Sequence, residues 1–392
     1  MNPLAEHYAR FGVAERLLLT GHSHQAWPDV ALEGQVEAFE DAARHVDEKW
    51  ERAFAKADEV RAGFRRAIAD PGAEIALGAS THDLIVRLLS ALDLRARPRL
   101  VTTDGEFHTL RRQLARLREE GLDVARLPAA PVDSLAERLA GAVDERTSAV
   151  LVSAVLFETG RIVPGLGALA RACERAGAEL VIDAYHALGA MPFGLADQGL
   201  EGAWVVGGGY KYLQLGEGNC FLRLPAHAHE LRPAITGWYA EFSALAHEHD
   251  PGRVAYGRGA ERYAGSTYDP TSHYRAARVM RFFAEHGLTP ERLRAGYRHQ
   301  VDLLADRFDA LGAPDELITR DRATPLDRYG AFLALRTPVA GELKAALAAR
   351  GVTADSRGSW LRLGPAPYLA DEQLDRAVEL LGEALRSLPR SS

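Results

Sequence analysis

Between Glu74 and Leu224 short β-rich runs alternate with helical ones, and this alternation constrains the fold more than any other feature of the 392-residue chain. Runs at Glu74–Leu77, Arg99–Thr102, Asp123–Leu127, Ala149–Ser153, Glu179–Ile182, Ala203–Val206 and Cys220–Leu224 predict strands. Strands separated by helical segments build βαβ units around a mostly parallel sheet. Parallel strands buried on both faces read as continuous apolar runs, as Ala149-Val150-Leu151-Val152 and Leu180-Val181-Ile182 do. The expected fold is therefore α/β, a mostly parallel seven-stranded sheet flanked by helices. Its ligand belongs at the C-terminal edge of the strands.

The flanking segments have a different pattern. From Ala31 to Ala69, apolar residues every three or four positions predict one or two amphipathic helices ending near Asp70-Pro71-Gly72. From Tyr274 onward, helices at Arg275–Glu285, Pro290–Leu311, Glu342–Ala349 and Asp371–Ser387 are interrupted by strands near Phe332–Arg336 and Trp360–Leu363. The expected organisation is an N-terminal segment, 1–72, packing with a small domain; a large α/β domain, 73–270; and a smaller C-terminal α+β domain, 271–392.

A net charge of -7 offers no basic field to a phosphate backbone, which argues against a nucleic-acid partner. Two cysteines, Cys173 and Cys220, form neither a disulfide framework nor a zinc cluster and suit a reducing cytoplasm. The first residues lack a basic region followed by an apolar run, and no stretch reaches the ~18 consecutive apolar residues of a membrane span. The expectation is a cytoplasmic enzyme of small-molecule chemistry, with no metal, membrane or nucleic-acid partner.

Three segments could carry that chemistry. In Val205-Val206-Gly207-Gly208-Gly209-Tyr210-Lys211-Tyr212 a strand runs through three glycines to a lone lysine. Glycines admit a close backbone approach, and a desolvated lysine has a lowered pKa and can form an imine with an aldehyde. A surface lysine after a flexible loop is the plainer alternative. Asp183 ends an apolar strand, where a buried carboxylate needs a partner such as a protonated pyridine nitrogen, or caps the next segment. His186 could stack or hydrogen-bond beside such a ring, or be a core histidine. Gly78-Ala79-Ser80-Thr81 leads into a helix whose free N–H groups and two hydroxyls suit a phosphate, although capping alone also explains Ser80 or Thr81.

Together these segments resemble the fold-type I, class V aminotransferase-like family of pyridoxal 5'-phosphate (PLP) enzymes, and within it the kynureninases. The resemblance implies that Lys211, in Tyr210-Lys211-Tyr212-Leu213, is the Schiff-base lysine and Tyr210 a phosphate ligand and proton donor. Asp183 and His186 match the family's Asp-x-x-His, Phe107 its ring-stacking aromatic, and Ser80-Thr81 its phosphate-binding pair. Thr159-Gly160 matches a Thr-Gly that follows a core strand. Gly237-Trp238-Tyr239 is similar to the family's Gly-Trp-Phe, while Ala264-Gly265-Ser266-Thr267 is similar to the Gly-Thr that reaches the neighbouring subunit's phosphate. By the same resemblance Trp238 and Thr267 bind cofactor, Arg362 holds the substrate α-carboxylate, and Ser23 and His24, in Gly21-His22-Ser23-His24, touch substrate.

The departures lie on the substrate side. Leu110 stands where kynureninases carry an acid, and Gln214-Leu215-Gly216-Glu217-Gly218 replaces their Asn-Gly-Gly-Pro-Gly. What the resemblance implies is a homodimer with shared sites, acting on a small amino acid by kynureninase-like Cβ–Cγ hydrolysis that releases alanine. Transamination and β-elimination are the alternatives. A cysteine-based persulfide enzyme fits poorly, since the last cysteine, Cys220, falls on a predicted core strand.

Overall fold

The computed structural model describes residues 2–245 and 252–387, so the last five residues of the expected small domain lie outside the described residues. The chain opens with a short strand β1 (Leu17–Leu18) and two helices, α1 (Val30–His45) and α2 (Lys49–Ala67). The central region follows as β2 (Glu74–Gly78), α3 (Thr81–Ala91), β3 (Arg99–Thr103), α4 (His108–Glu119), β4 (Asp123–Leu127), α5 (Leu135–Gly141) and β5 (Thr147–Ser153). It continues through α6 (Leu166–Ala176), β6 (Glu179–Asp183), α7 (Leu195–Gln198), β7 (Trp204–Gly208) and β8 (Cys220–Leu224). The remainder is α8 (Thr271–Glu285), α9 (Pro290–Ala310), β9 (Leu333–Arg336), α10 (Ala340–Ala348), β10 (Val352–Thr353), β11 (Asp355–Arg357), β12 (Trp360–Leu363) and α11 (Asp371–Ser387).

Strands β2 to β8 form one seven-stranded sheet in the order β2-β8-β7-β6-β5-β3-β4, parallel except that β8 runs antiparallel to both neighbours. All seven expected strands are present. Every residue of β5 is buried, as its apolar run requires for a strand covered on both faces. Local chemistry sets the helix ends: Ser80 Oγ accepts from Asp83 N at the start of α3, Thr289 caps α9 ahead of Pro290, and left-handed Gly177 closes α6. The parallel register brings the ends of β3, β5, β6 and β7 to one edge, where Ser153 pairs with Asp183 and Asp183 with Val206.

The second, antiparallel sheet, β11-β12-β9, is joined to the N-terminus by the β1–β10 pair and by a bridge from Thr20 to Gly364. Tyr8, Val13 and Leu19 share one buried cluster with Phe308, Leu343, Tyr368 and Leu381. Helix α2 instead buries Val60 and Phe64 against the main sheet, together with Val279 of α8. Gly21 is dictated by this docking, since a Cβ there would lie 2.0 Å from the Pro365 carbonyl oxygen. The result places Gly21 against Pro365, and His22 against Gly364 and Asp355. Among the described residues no helix is long and apolar enough to cross a membrane.

Candidate active site

The glycine run that leads to Lys211 is explained by the protein itself. A Cβ on Gly208 would lie 2.4 Å from Tyr185 Oη, and one on Gly209 2.3 Å from Leu215 Cδ1. Close packing beneath the strand end, rather than open space for a ligand, is what these two positions demand. The chain then delivers Lys211 to a buried site at 6% exposure. Its Nζ lies 2.9 Å from His186 Nε2, 4.5 Å from the Tyr185 ring centroid and 5.4 Å from that of Phe107. Burial lowers its pKa to about 8, against the pull of Asp183 and with help from the Arg362 charge. A surface lysine is thereby ruled out.

Asp183 closes β6 at the same edge, half-buried, and accepts the Tyr185 N–H at 2.9 Å. Burial raises its pKa, while that hydrogen bond and Lys211 work in the opposite direction. A carboxyl that burial drives toward its neutral form regains its charge when a cation docks against it. His186 is held well below its usual pKa by burial and then by Lys211. Its ring is therefore neutral, with Nε2 facing Lys211 and Nδ1 buried without a hydrogen-bond partner. Lys211, Asp183 and His186 thus lie together at one strand edge.

The other expected residues fall into three groups. Phe107 caps α4 close to Lys211 and packs edge-on to Phe157, with ring centroids 5.4 Å apart. Ser80 spends its hydroxyl on capping α3, so the alternative reading of that residue holds in part; Thr81 follows as the first helical residue. Tyr210 stacks on His24 with centroids 4.9 Å apart, and Ser23 Oγ lies 3.1 Å from His24 Nδ1. Burial raises the Tyr210 phenol to about 12, keeping its proton in place. Trp238 and Thr267 lie apart, exposed, with Trp238 Nε1 donating to Thr267 Oγ1 at 3.2 Å. Thr267 lines an open cavity of about 820 Å³ whose far wall includes Ala79 and Asp83, at the start of α3. Leu110 is buried beside Leu114 and so offers no charge to a substrate.

Arg362 is buried at 3% exposure, and its guanidinium is already held: Nη1 donates to the Phe157 carbonyl and Nη2 to Asp355 Oδ2, leaving Nε unpaired. Despite its burial, Asp355 stays well below the usual carboxylate range because His22, Arg362 and Arg357 favour its charge. Sequence reasoning missed His22. It is fully buried, 3.6 Å from Asp355 and tilted on Phe332, and burial lowers its pKa to about 4. A Cβ on Gly364 would lie 2.2 Å from His22 Nδ1, so this glycine makes room for the ring. Glu106 was missed as well, a buried acid whose only sequence signal is its place one residue before Phe107.

The mostly parallel seven-stranded sheet with its smaller antiparallel partner has the fold type I architecture seen in PLP-dependent enzymes. Two solved structures share it closely. A C-DES mutant with glycine covalently linked to its PLP cofactor superposes with a TM-score of 0.83 at 15% identity, covering 97% of this chain and 99% of that one. The apo cysteine desulfurase from Thermococcus onnurineus NA1 gives 0.81 at 17% identity, covering 99% of each chain. No family model matches the chain. Among curated proteins, an uncharacterized aminotransferase, YcbU of Bacillus subtilis, is 23% identical over 345 residues, 88% of each chain. A kynureninase of Xanthomonas campestris pv. campestris strain B100 is 31% identical over 195 residues, 46% of this chain and 45% of that protein.

Proposed function

We propose that the protein is a PLP-dependent enzyme that acts on an α-amino acid, with a kynureninase-like cleavage of the Cβ–Cγ bond by water as its reaction. The observation that carries the proposal is the buried Lys211 Nζ against a neutral His186, with Asp183 at the same strand edge. When bound, the cofactor supplies an electron sink for negative charge at the substrate α-carbon. Lys211 would hold its aldehyde carbon, Asp183 its ring nitrogen, Phe107 and His186 its ring, and Ser80 and Thr81 with the α3 N-terminus its phosphate. Asp183, whose pKa burial raises and which forms no ion pair among the described residues, fits a protonated nitrogen.

The chain's own groups divide the remaining work. With substrate bound, the Lys211 amine would serve as the base for the α-proton. Arg362, fixed by Asp355 and the Phe157 carbonyl, holds the substrate carboxylate through its remaining N–H groups. Tyr210, protonated at neutral pH and stacked on His24, would donate a proton, with Ser23 and His24 as the neighbouring substrate contacts. The kynureninase matches support hydrolysis; the match to an aminotransferase along most of both chains favours transamination as the second reading. Persulfide chemistry on a cysteine of this chain fits poorly, because Cys173 and Cys220 are both buried and burial raises their thiols to about 12.

The test is product analysis after adding PLP and L-kynurenine, aspartate, cysteine or alanine. Alanine with an aryl acid supports hydrolysis, and a keto acid formed only with a second keto-acid acceptor supports transamination. The Lys211 pKa of about 8 adds a pH prediction. Below that value the amine is mostly protonated, so the rate of PLP capture by apo-protein should rise by about tenfold per pH unit and level off above it. Stopped-flow absorbance measures this, and a capture rate flat from about pH 6 to pH 9 would contradict it.

A homodimer belongs to the same proposal. Trp238, at 45% exposure, and Phe242, at 42%, present apolar surface beside Thr267, as a face covered by a second copy would. Light scattering should give twice the 42.7 kDa chain mass, and Trp238→Ala should weaken both assembly and cofactor retention. A fully active monomer would overturn this part.

A further inference from the structure

Glu106 lies in the turn between β3 and α4, at 1% exposure. Its contacts are hydroxyls: Thr103 Oγ1 donates to Oε1 and Ser153 Oγ to Oε2, each at 2.6 Å. Ser153 on β5 pairs in register with Asp183 on β6, so Glu106, held by the Ser153 hydroxyl, is one strand away from Asp183. A buried carboxylate beside another carboxyl, with hydroxyl donors in place of a cation, is an arrangement that core packing alone does not favour.

We propose that Glu106 is a positioning residue for Asp183, a second carboxyl whose ionisation adds negative charge where Asp183 would meet the cofactor's ring nitrogen. The inference rests on the cofactor reading given above. The groups that face Glu106 are the Thr103 hydroxyl on β3, the Ser153 hydroxyl and N–H on β5, and the Asp183 carboxyl on β6. Burial raises its pKa to about 7, with the hydroxyl bonds opposing and Asp183 assisting. Glu106 is therefore neutral below this pH and charged above it. Charged, it raises the proton affinity of the Asp183–ring nitrogen pair; reciprocally, a bound cationic ring draws the proton off Glu106.

The consequence is cofactor affinity that tightens as pH rises through neutrality. A coupling of one pKa unit corresponds to about tenfold in affinity. The probe is pyridoxine 5'-phosphate, which has no aldehyde, so covalent capture by Lys211 does not enter. Its dissociation constant from apo-protein is measured by fluorescence at about pH 6 and about pH 8, for the native chain and Glu106→Gln. The probe's phosphate and Lys211 titrate alike in both proteins, so the difference between the two pH dependences isolates Glu106.

The expected result is a native protein that tightens over this interval by about tenfold more than Glu106→Gln. Equal pH dependence in the two proteins would overturn the proposal. Should Glu106→Gln fail to fold, Ser153→Ala decides: loss of one donor to the charged form should move the midpoint of tightening to higher pH, and an unmoved midpoint counts against Glu106. A native protein that binds neither this probe nor PLP sinks the cofactor reading and this inference with it. A native protein that binds both, with a Lys211-dependent visible band, but shows parallel curves sinks the Glu106 role alone.

Discussion

Lys211→Ala should abolish covalent capture of PLP and lower turnover by about a thousandfold or more, since it removes both the tether and the base. The fold should survive. Lys211 is buried, its pKa is lowered by that burial, and its close polar partner is the neutral His186. Removing an amine whose charge is disfavoured where it sits relieves a desolvation cost, so thermal stability should stay level or rise. Borohydride reduction followed by gel filtration measures the tether: native protein should retain bound cofactor and the variant none. A variant that keeps the cofactor through reduction, or turns over at a native rate, would move the chemistry to another residue.

Arg362→Ala should act on stability and on substrate binding together. The Arg362–Asp355 pair is buried on both sides, with side-chain exposures of 4% and 9%, so deleting the arginine leaves a buried carboxylate with one oxygen on Arg357 and the other facing only His22. Removing one partner of such a pair costs about 3–5 kcal/mol, and a lowered thermal midpoint should report it. Charge-assisted hydrogen bonds to a substrate carboxylate contribute about 1.5–3 kcal/mol each, so KM should rise by about a hundredfold or more. Arg362→Lys should restore some stability and little of the KM, because an ammonium cannot span Phe157, Asp355 and a carboxylate at once. A native KM in both variants would remove Arg362 from the substrate site.

Burial brings Glu106 up to about 7 and Lys211 down to about 8, neighbouring values for two residues whose proposed roles fall in different steps. Capture rate follows the lysine, whereas affinity for an aldehyde-free probe follows the acid. The two measurements therefore separate a nucleophile's ionisation from that of a group acting through Asp183.

Much of this molecule was legible along the chain. Each strand of the main sheet stands where a short β-rich run predicted it, and the centres of β5 and β6 are continuous apolar runs because both faces of those strands are buried. Asp183, His186 and Lys211 were legible for a related reason: each is a polar residue at the end of an apolar strand or a glycine-rich turn, where a core pattern breaks. The short strands β1, β10 and β11, of two or three residues, were not, since they are too brief to show a period. Glu106 and His22 looked like ordinary polar residues of a turn and a loop.

The amino-acid order by itself thus determined the sheet, the helices that cover it and the strand edge at which a lysine and an acid meet. Periodicity and strand-end chemistry are local, and a chain carries them in neighbouring residues. Only the tertiary structure decided that His22 packs against Gly364 beside Asp355, and that Arg362 is anchored across the chain on Phe157. It also decided that Glu106 is buried against the hydroxyls of Thr103 and Ser153, the latter the strand partner of Asp183. Burial of a charge depends on which distant groups close around it, and that is a property of the packed molecule.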